Sequence, residues 1–233
     1  MNPIINNISF QWHGRGKMMR LDSRLVLALD ETDREKALRV LDQVSDCVDA
    51  VKINWPLVLS SGPGIIDELS RSVDVICDFK VADIPNTVSL IVSQSVKRGA
   101  SAVIVHAFTG EDSLQAALAA AGQAEVYAVT EMSHPGAVTF TAPHAEEMAR
   151  MAMRCGVHGF IAPATRPDRL RAIRALVGDR KILSPGVGAQ GGSASAAIEA
   201  GATYVIVGRA IYGAEDPAEV AHSLVRELEG PRS

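Results

Sequence analysis

The chain has 233 residues, of which 47% are hydrophobic but only 4% aromatic, and its formal net charge is -4 at pH 7. This length suits one large α/β domain with an aliphatic core, and the absence of any long basic run excludes a nucleic-acid-binding reading. No apolar stretch is long enough to span a bilayer, and Cys47, Cys77 and Cys155 show neither a disulfide framework nor metal-ligand spacing, which fits a reducing cytoplasm.

Residues 1–20 carry Arg15, Lys17 and Arg20 but no apolar h-region. They read as a loosely ordered extension, not a secretory signal, ahead of a single domain over 21–233. Met18 and Met19 are alternative starts. Residues 24–29 (R-L-V-L-A-L) form an apolar strand ending at Asp30, and Thr32 or Asp33 can cap a helix through Val44. A short strand at 50–53 is interrupted by Lys52. A loop with Trp55, Pro56, Gly62 and Pro63 leads to a helix near 65–70. The stretch 73–80 then delivers Asp78, Phe79 and Lys80 from a β-branched apolar run, and Pro85 suits the first turn of a helix over about 84–98. Strands near 102–105, 126–129, 159–162, 181–184 and 204–207 follow, with helices near 113–121, 145–155, 166–176, 194–200 and 217–228 between and after them.

About eight strand–helix units of roughly 20–30 residues point to a parallel sheet covered by helices, and eight units make a single (β/α)8 TIM barrel the leading fold. No G-x-G-x-x-G follows the first strand, which counts against a dinucleotide-binding sheet. The polar residues support the barrel. Asp30, Asp78, Lys80, His106, Thr130, Ser184 and Arg209 fall at or just beyond strand C-termini, with Lys52 near the end of its own. In a barrel those ends converge on one face, where active sites are built.

Asp78 and Lys80 are two apart on a strand, so they share a face. Taken alone they read as an ion pair, with Asp83 capping the next helix. A carboxylate and an ammonium at the end of a buried strand are nonetheless costly to retain without a purpose. Gly186, Gly188, Gly191 and Gly192 surround Gln190, and the next strand ends in Gly208 and Arg209. Loops after the seventh and eighth strands of a barrel commonly hold a phosphate on backbone N–H groups, and Arg209 adds a planar, permanently charged donor. The loop is not a Walker P-loop, so ATP is not implied. Neither His106 nor His134 has ligand-like spacing.

Together, D-F-K-V-A-D-I-P (78–85), T-E-M-S-H-P-G (130–136), S-P-G-V-G-A-Q-G-G (184–192) and V-G-R-A-I-Y (207–212) resemble the orotidine 5′-phosphate decarboxylase family, particularly its shorter archaeal-like form. The likeness runs from about Arg24 to Leu228, and the S-H-P-G and G-A-Q-G-G loops are its most specific parts. It implies a cofactor-free and metal-free conversion of orotidine 5′-phosphate to uridine 5′-phosphate and CO2, in pyrimidine biosynthesis. It further implies that Asp30 and Lys52 contact ribose hydroxyls, that Lys52, Asp78, Lys80 and Asp83 form an alternating charged array, and that Lys80 protonates C6. Ser133 would bind the pyrimidine and Pro185 line the pocket, while Gln190, Gly208 and Arg209 hold the phosphate. Asp83 and Thr87 would reach the neighbouring site of a homodimer.

Two other readings stay open. Hexulose-phosphate synthase and ketogulonate-phosphate decarboxylase share D-x-K-x-x-D but use Mg2+, with an acidic metal ligand on the second strand where this chain has Lys52. Mg2+ prefers oxygen ligands, so a lysine there disfavours that chemistry. A non-catalytic nucleotide-binding barrel is the second alternative, although a sensor has no need of a proton donor at C6.

Overall fold

The computed structural model describes residues 19–188 and 191–229. Eight strands form a closed barrel in chain order: β1 (Leu25–Ala28), β2 (Ala50–Ile53), β3 (Asp74–Val81), β4 (Ala102–His106), β5 (Glu125–Val129), β6 (Gly159–Ile161), β7 (Lys181–Pro185) and β8 (Tyr204–Val207). Every neighbouring pair is parallel, and β8 closes on β1 with Val26 opposite Ile206. The helices are α1 (Arg34–Val44), α2 (Trp55–Ser61), α3 (Gly64–Leu69), α4 (Pro85–Lys97), α5 (Glu111–Ala121), α6 (Ala137–Cys155), α7 (Pro167–Val177), α8 (Ala194–Glu199), α9 (Arg209–Tyr212) and α10 (Pro217–Glu229). The chain is thus the (β/α)8 barrel that its alternating pattern predicts. Among the described residues, no helix is long and apolar enough to cross a membrane.

Strand alternation divides the apolar residues into two layers. Leu25, Leu27, Val51, Val75, Val103 and Phe160 face the helices, within the larger buried cluster. Val26, Ala50, Ile76, Ala102, Tyr127 and Leu183 fill the barrel interior. Burial on both faces explains why the strands read as continuous apolar runs. Asp33 caps α1 by accepting the Lys36 N–H at 3.1 Å.

The floor of the barrel is polar yet satisfied. Fully buried Glu125 accepts hydrogen bonds from Tyr127 Oη and from Lys181 Nζ, the latter at 2.6 Å. Buried Asp49 accepts backbone N–H groups of Asp22, Ser23 and Arg24. Met19 joins the interior cluster, and the Arg20 carbonyl accepts from Tyr204 Oη at 2.6 Å. These last two residues of the 1–20 segment are therefore packed against the barrel, and residues 1–18 lie outside the described residues.

Several elements differ from the sequence expectation. Residues 55–61 are helical although Pro56 and Gly62 suggested a loop, because Pro56 falls in the first helical turn, where it needs no N–H partner. Helix α6 begins eight residues before the expected 145, running through Pro143. The short helix α9 follows directly on β8.

Candidate active site

At the C-terminal ends of the strands lies a cavity of about 230 Å³. Its charged wall comes from β1, β2 and β3. Lys52 Nζ lies 3.3 Å from Asp30 Oδ1 and 3.2 Å from Asp78 Oδ2. Lys80 Nζ donates to both Asp78 oxygens, at 2.8 and 2.9 Å. The four side chains form an unbroken alternation, Asp30–Lys52–Asp78–Lys80. Asp78 and Lys52 are buried, whereas the Lys80 and Asp30 side chains keep 38% and 39% exposure and face the opening.

The backbone beneath this array is irregular. The β3–β4 register shifts between Cys77 and Val81, and Lys80 has φ +43°, a left-handed conformation that non-glycine residues seldom adopt. Simple alternation therefore does not carry through 78–81, although the two head groups meet as expected. The irregularity is held from outside. Trp55 Nε1 donates to the Phe79 carbonyl at 3.1 Å, and the two rings stack with centroids 4.4 Å apart. Strained residues persist where surrounding contacts over-determine them, and such sites cluster at functional centres.

Burial by itself would raise the Asp78 pKa, but the Lys52 and Lys80 ammonium groups outweigh it and hold the carboxyl below its ordinary range. The Asp78 carboxyl is consequently ionised at neutral pH. Each buried member has two partners of opposite charge, so neither Lys52 nor Asp78 depends on a single neighbour.

The opposite wall is apolar, formed by Ile104, Val129 and Ile161 from β4, β5 and β6. Ser133, Pro185, Gly208 and exposed Arg209 also line the cavity. Gly186 and Gly188 have φ +102° and +74°, and the loop folds back through Gly192 N–H to the Gly186 carbonyl at 3.0 Å. Gly208 leaves space against Ala28, where a Cβ would come within 3.3 Å of the Ala28 carbonyl oxygen. Glycine and the Arg209 guanidinium thus leave one end of the cavity open to an anionic group.

Eight expected site residues, Asp30, Lys52, Asp78, Lys80, Ser133, Pro185, Gly208 and Arg209, line this one cavity. Asp83 and Thr87 do not. Exposed Asp83 accepts the Ile84 N–H at 2.7 Å just before α4, and half-buried Thr87 lies in the first turn of that helix. Gln190 lies outside the described residues. Ser184 and Thr130 sit at strand ends but point away from the cavity, and Ser184 Oγ donates to the Ala162 carbonyl at 2.7 Å.

Glu131 and Asn54 line the cavity without having been singled out. Buried Glu131 pairs with Arg166 and, at 2.8 Å, with Arg169. Arg166 also donates to the carbonyls of Ser133 and His134, at 3.2 and 3.0 Å. This network fastens the Ser133 loop to the start of α7. Its partners are more than thirty residues apart, so no local pattern reveals it.

The comparisons with known proteins agree with this geometry. Residues 23–224 match the orotidine 5′-phosphate decarboxylase / HUMPS family. The orotidine 5′-phosphate decarboxylase of Methanococcoides burtonii is 52% identical over 90% of this chain and 99% of its own length. That of Thermococcus kodakarensis is 48% identical over 89% and 97%. Among solved structures, the Methanocaldococcus jannaschii orotidine 5′-monophosphate decarboxylase complexed with the inhibitor BMP superimposes with a TM-score of 0.83. It is 45% identical, covering 88% of this chain and 97% of that one.

Behind the charged wall, His106 is buried at the end of β4 with its ring 4.8 Å from that of Phe108. Burial, and secondarily the Lys80 charge, lower its pKa to about 4. The unfolded chain protonates this residue near pH 6.5, so the group leaves stability unaffected above that value. As pH falls towards 4 the unfolded state gains a proton that the folded state refuses, and stability drops by up to about 3 kcal/mol. His106→Gln should flatten the unfolding free energy between about pH 6.5 and 4, measured by urea titration. Parallel slopes in the two proteins would mean that His106 titrates normally.

Proposed function

The chain belongs to the orotidine 5′-phosphate decarboxylase / HUMPS family, and from this premise we propose that it converts orotidine 5′-phosphate to uridine 5′-phosphate and CO2 in cytoplasmic pyrimidine biosynthesis, without metal or cofactor. The observation that carries the reading is Lys80 Nζ, fixed by both Asp78 oxygens at the mouth of a cavity whose β2 position is Lys52. A lysine at that position supplies positive charge and removes the oxygen ligand that a Mg2+-dependent relative would need.

Direct decarboxylation leaves carbanion-like charge at C6 of the pyrimidine. Lys80 serves as a fixed cation beside that charge and as the acid that protonates the carbon. Asp78, kept ionised, would face the substrate carboxylate. Like charges about 4 Å apart repel by about 4 kcal/mol at an effective dielectric near 20, and the repulsion vanishes as CO2 departs. The apolar wall of Ile104, Val129 and Ile161 favours uncharged CO2 over a carboxylate.

The remaining groups bind. Asp30 and Lys52 would hold ribose hydroxyls and Ser133 the pyrimidine, with Pro185 against the ring. Gly208, Arg209 and Gln190 would hold the phosphate, whose binding energy orients the ring although it lies far from the breaking bond. Asp83 and Thr87 would complete the neighbouring site of a homodimer. Asp83 is exposed outside its own cavity, and Ile84 and Leu90 beside it are 66% and 58% exposed, a surface suited to burial against a second copy.

Purified protein should deplete the ultraviolet absorbance of orotidine 5′-phosphate, forming uridine 5′-phosphate at a rate unchanged by EDTA. In the same assay Arg209→Ala should lower kcat/KM by about 10–100-fold, the loss expected for charge-assisted phosphate bonds. An EDTA-sensitive reaction, or turnover only of phosphosugars, would contradict the proposal. Sedimentation at micromolar concentration should give a dimer. A monomer that retains full activity would remove Asp83 and Thr87 from the site.

A further inference from the structure

A second constellation lies outside the cavity. The turn that leads from α1 into β2 carries Asp46 and Cys47 at the N-terminal face of the barrel, the end opposite the cavity. Helix α10 packs against α1 and brings His222 to the same place. A carboxylate oxygen of Asp46, the sulfur of Cys47 and a ring nitrogen of His222 all lie within 4.8 Å of one another.

We propose that Asp46, Cys47 and His222 form a surface site for one divalent transition cation of the Zn2+ class, with water as the fourth ligand. Bond lengths of about 2.0–2.3 Å place the donors of a tetrahedral site roughly 3.3–3.8 Å apart, so closure requires movements of about 1 Å. Asp46 and His222 are exposed side chains able to make them, and no salt bridge among the described residues engages either one. Cys47 is the fixed member, buried with its Sγ donating to the Val44 carbonyl at 3.3 Å. One sulfur, one imidazole nitrogen and one carboxylate oxygen suit Zn2+ or Co2+, whereas Mg2+ and Ca2+ demand oxygen.

The site also has an electrostatic logic. Asp46 and Cys47 are chain neighbours whose carboxylate oxygen and sulfur lie within 4.8 Å of each other. A cation bound between them replaces the thiol proton, which leaves to solvent, and converts the carboxylate–thiolate repulsion into two attractions. Binding should therefore weaken as pH falls. Chain order hides the site, because two ligands come from the first helix–strand turn and the third from the last helix. An ion there would tie the α1–β2 turn to the last helix.

The test uses the full chain, stripped with chelator and desalted, then titrated with Co2+ as a spectroscopic probe. One equivalent should produce a thiolate-to-cobalt charge-transfer band that Zn2+ displaces. His222→Ala and Asp46→Asn are surface changes that leave the core intact, and each should weaken Co2+ binding by at least about tenfold, with Cys47→Ala abolishing the band. Zn2+ should also raise the Tm of the wild type but not of His222→Ala. A folded wild type without a thiolate band, or unchanged affinity in His222→Ala, would overturn the site.

Discussion

The Asp78 carboxylate is buried between two ammonium groups, and much of the molecule serves to keep it there. Burial alone would protonate it, and only Lys52 and Lys80 at 3.2 and 2.8 Å keep the ionised form favourable. Those lysines reach it because β2 and β3 are neighbours whose register sets Lys52 beside Ile76, close below Asp78. Lys80 reaches it through a left-handed backbone turn that regular strand geometry would not supply. That turn depends in its turn on Trp55, whose indole holds the Phe79 carbonyl and covers its ring. An element of α2 thereby sets the direction of the Lys80 head group.

The barrel separates three tasks around one opening. Strands β1 to β3 supply the charges, β4 to β6 an apolar face, and the loops after β7 and β8 a glycine-rich end that carries Arg209. The charged wall is closed by direct ion pairs within the protein, so its buried charges neutralise one another. The Ser133 loop is fastened by Glu131, Arg166 and Arg169. Preorganisation of this kind lowers the reorganisation cost of the reaction, which is how fixed electrostatic sites achieve most of their effect.

The barrel was legible because the strands are aliphatic runs buried on both faces and some helices carry a clear start signal, such as Asp33 before α1 and Pro85 in the first turn of α4. The position of polar residues at strand ends was legible for the same reason. On β5 and β7 alternation then decided which of them enter the cavity, and a strand end known only to within a residue cannot say so. Ser184 and Thr130 fall on the outer parity, while Pro185 and Glu131 fall on the inner one. The Lys80 backbone conformation and the Glu131 network were hidden because tertiary contacts create them. The early start of α6 was hidden as well, since a helix stabilised by packing can continue through Pro143, a residue that disfavours it.

The central claim is that Lys80, held by Asp78, carries the chemistry and not the binding. Lys80→Ala tests it most directly, with turnover of orotidine 5′-phosphate and affinity for uridine 5′-phosphate measured on the same preparation. The account requires kcat to fall by at least about 10⁴-fold, about 5.4 kcal/mol of transition-state stabilisation, while product affinity changes by less than about tenfold. A variant that keeps ordinary turnover, or one that loses product binding in parallel with turnover, would contradict it.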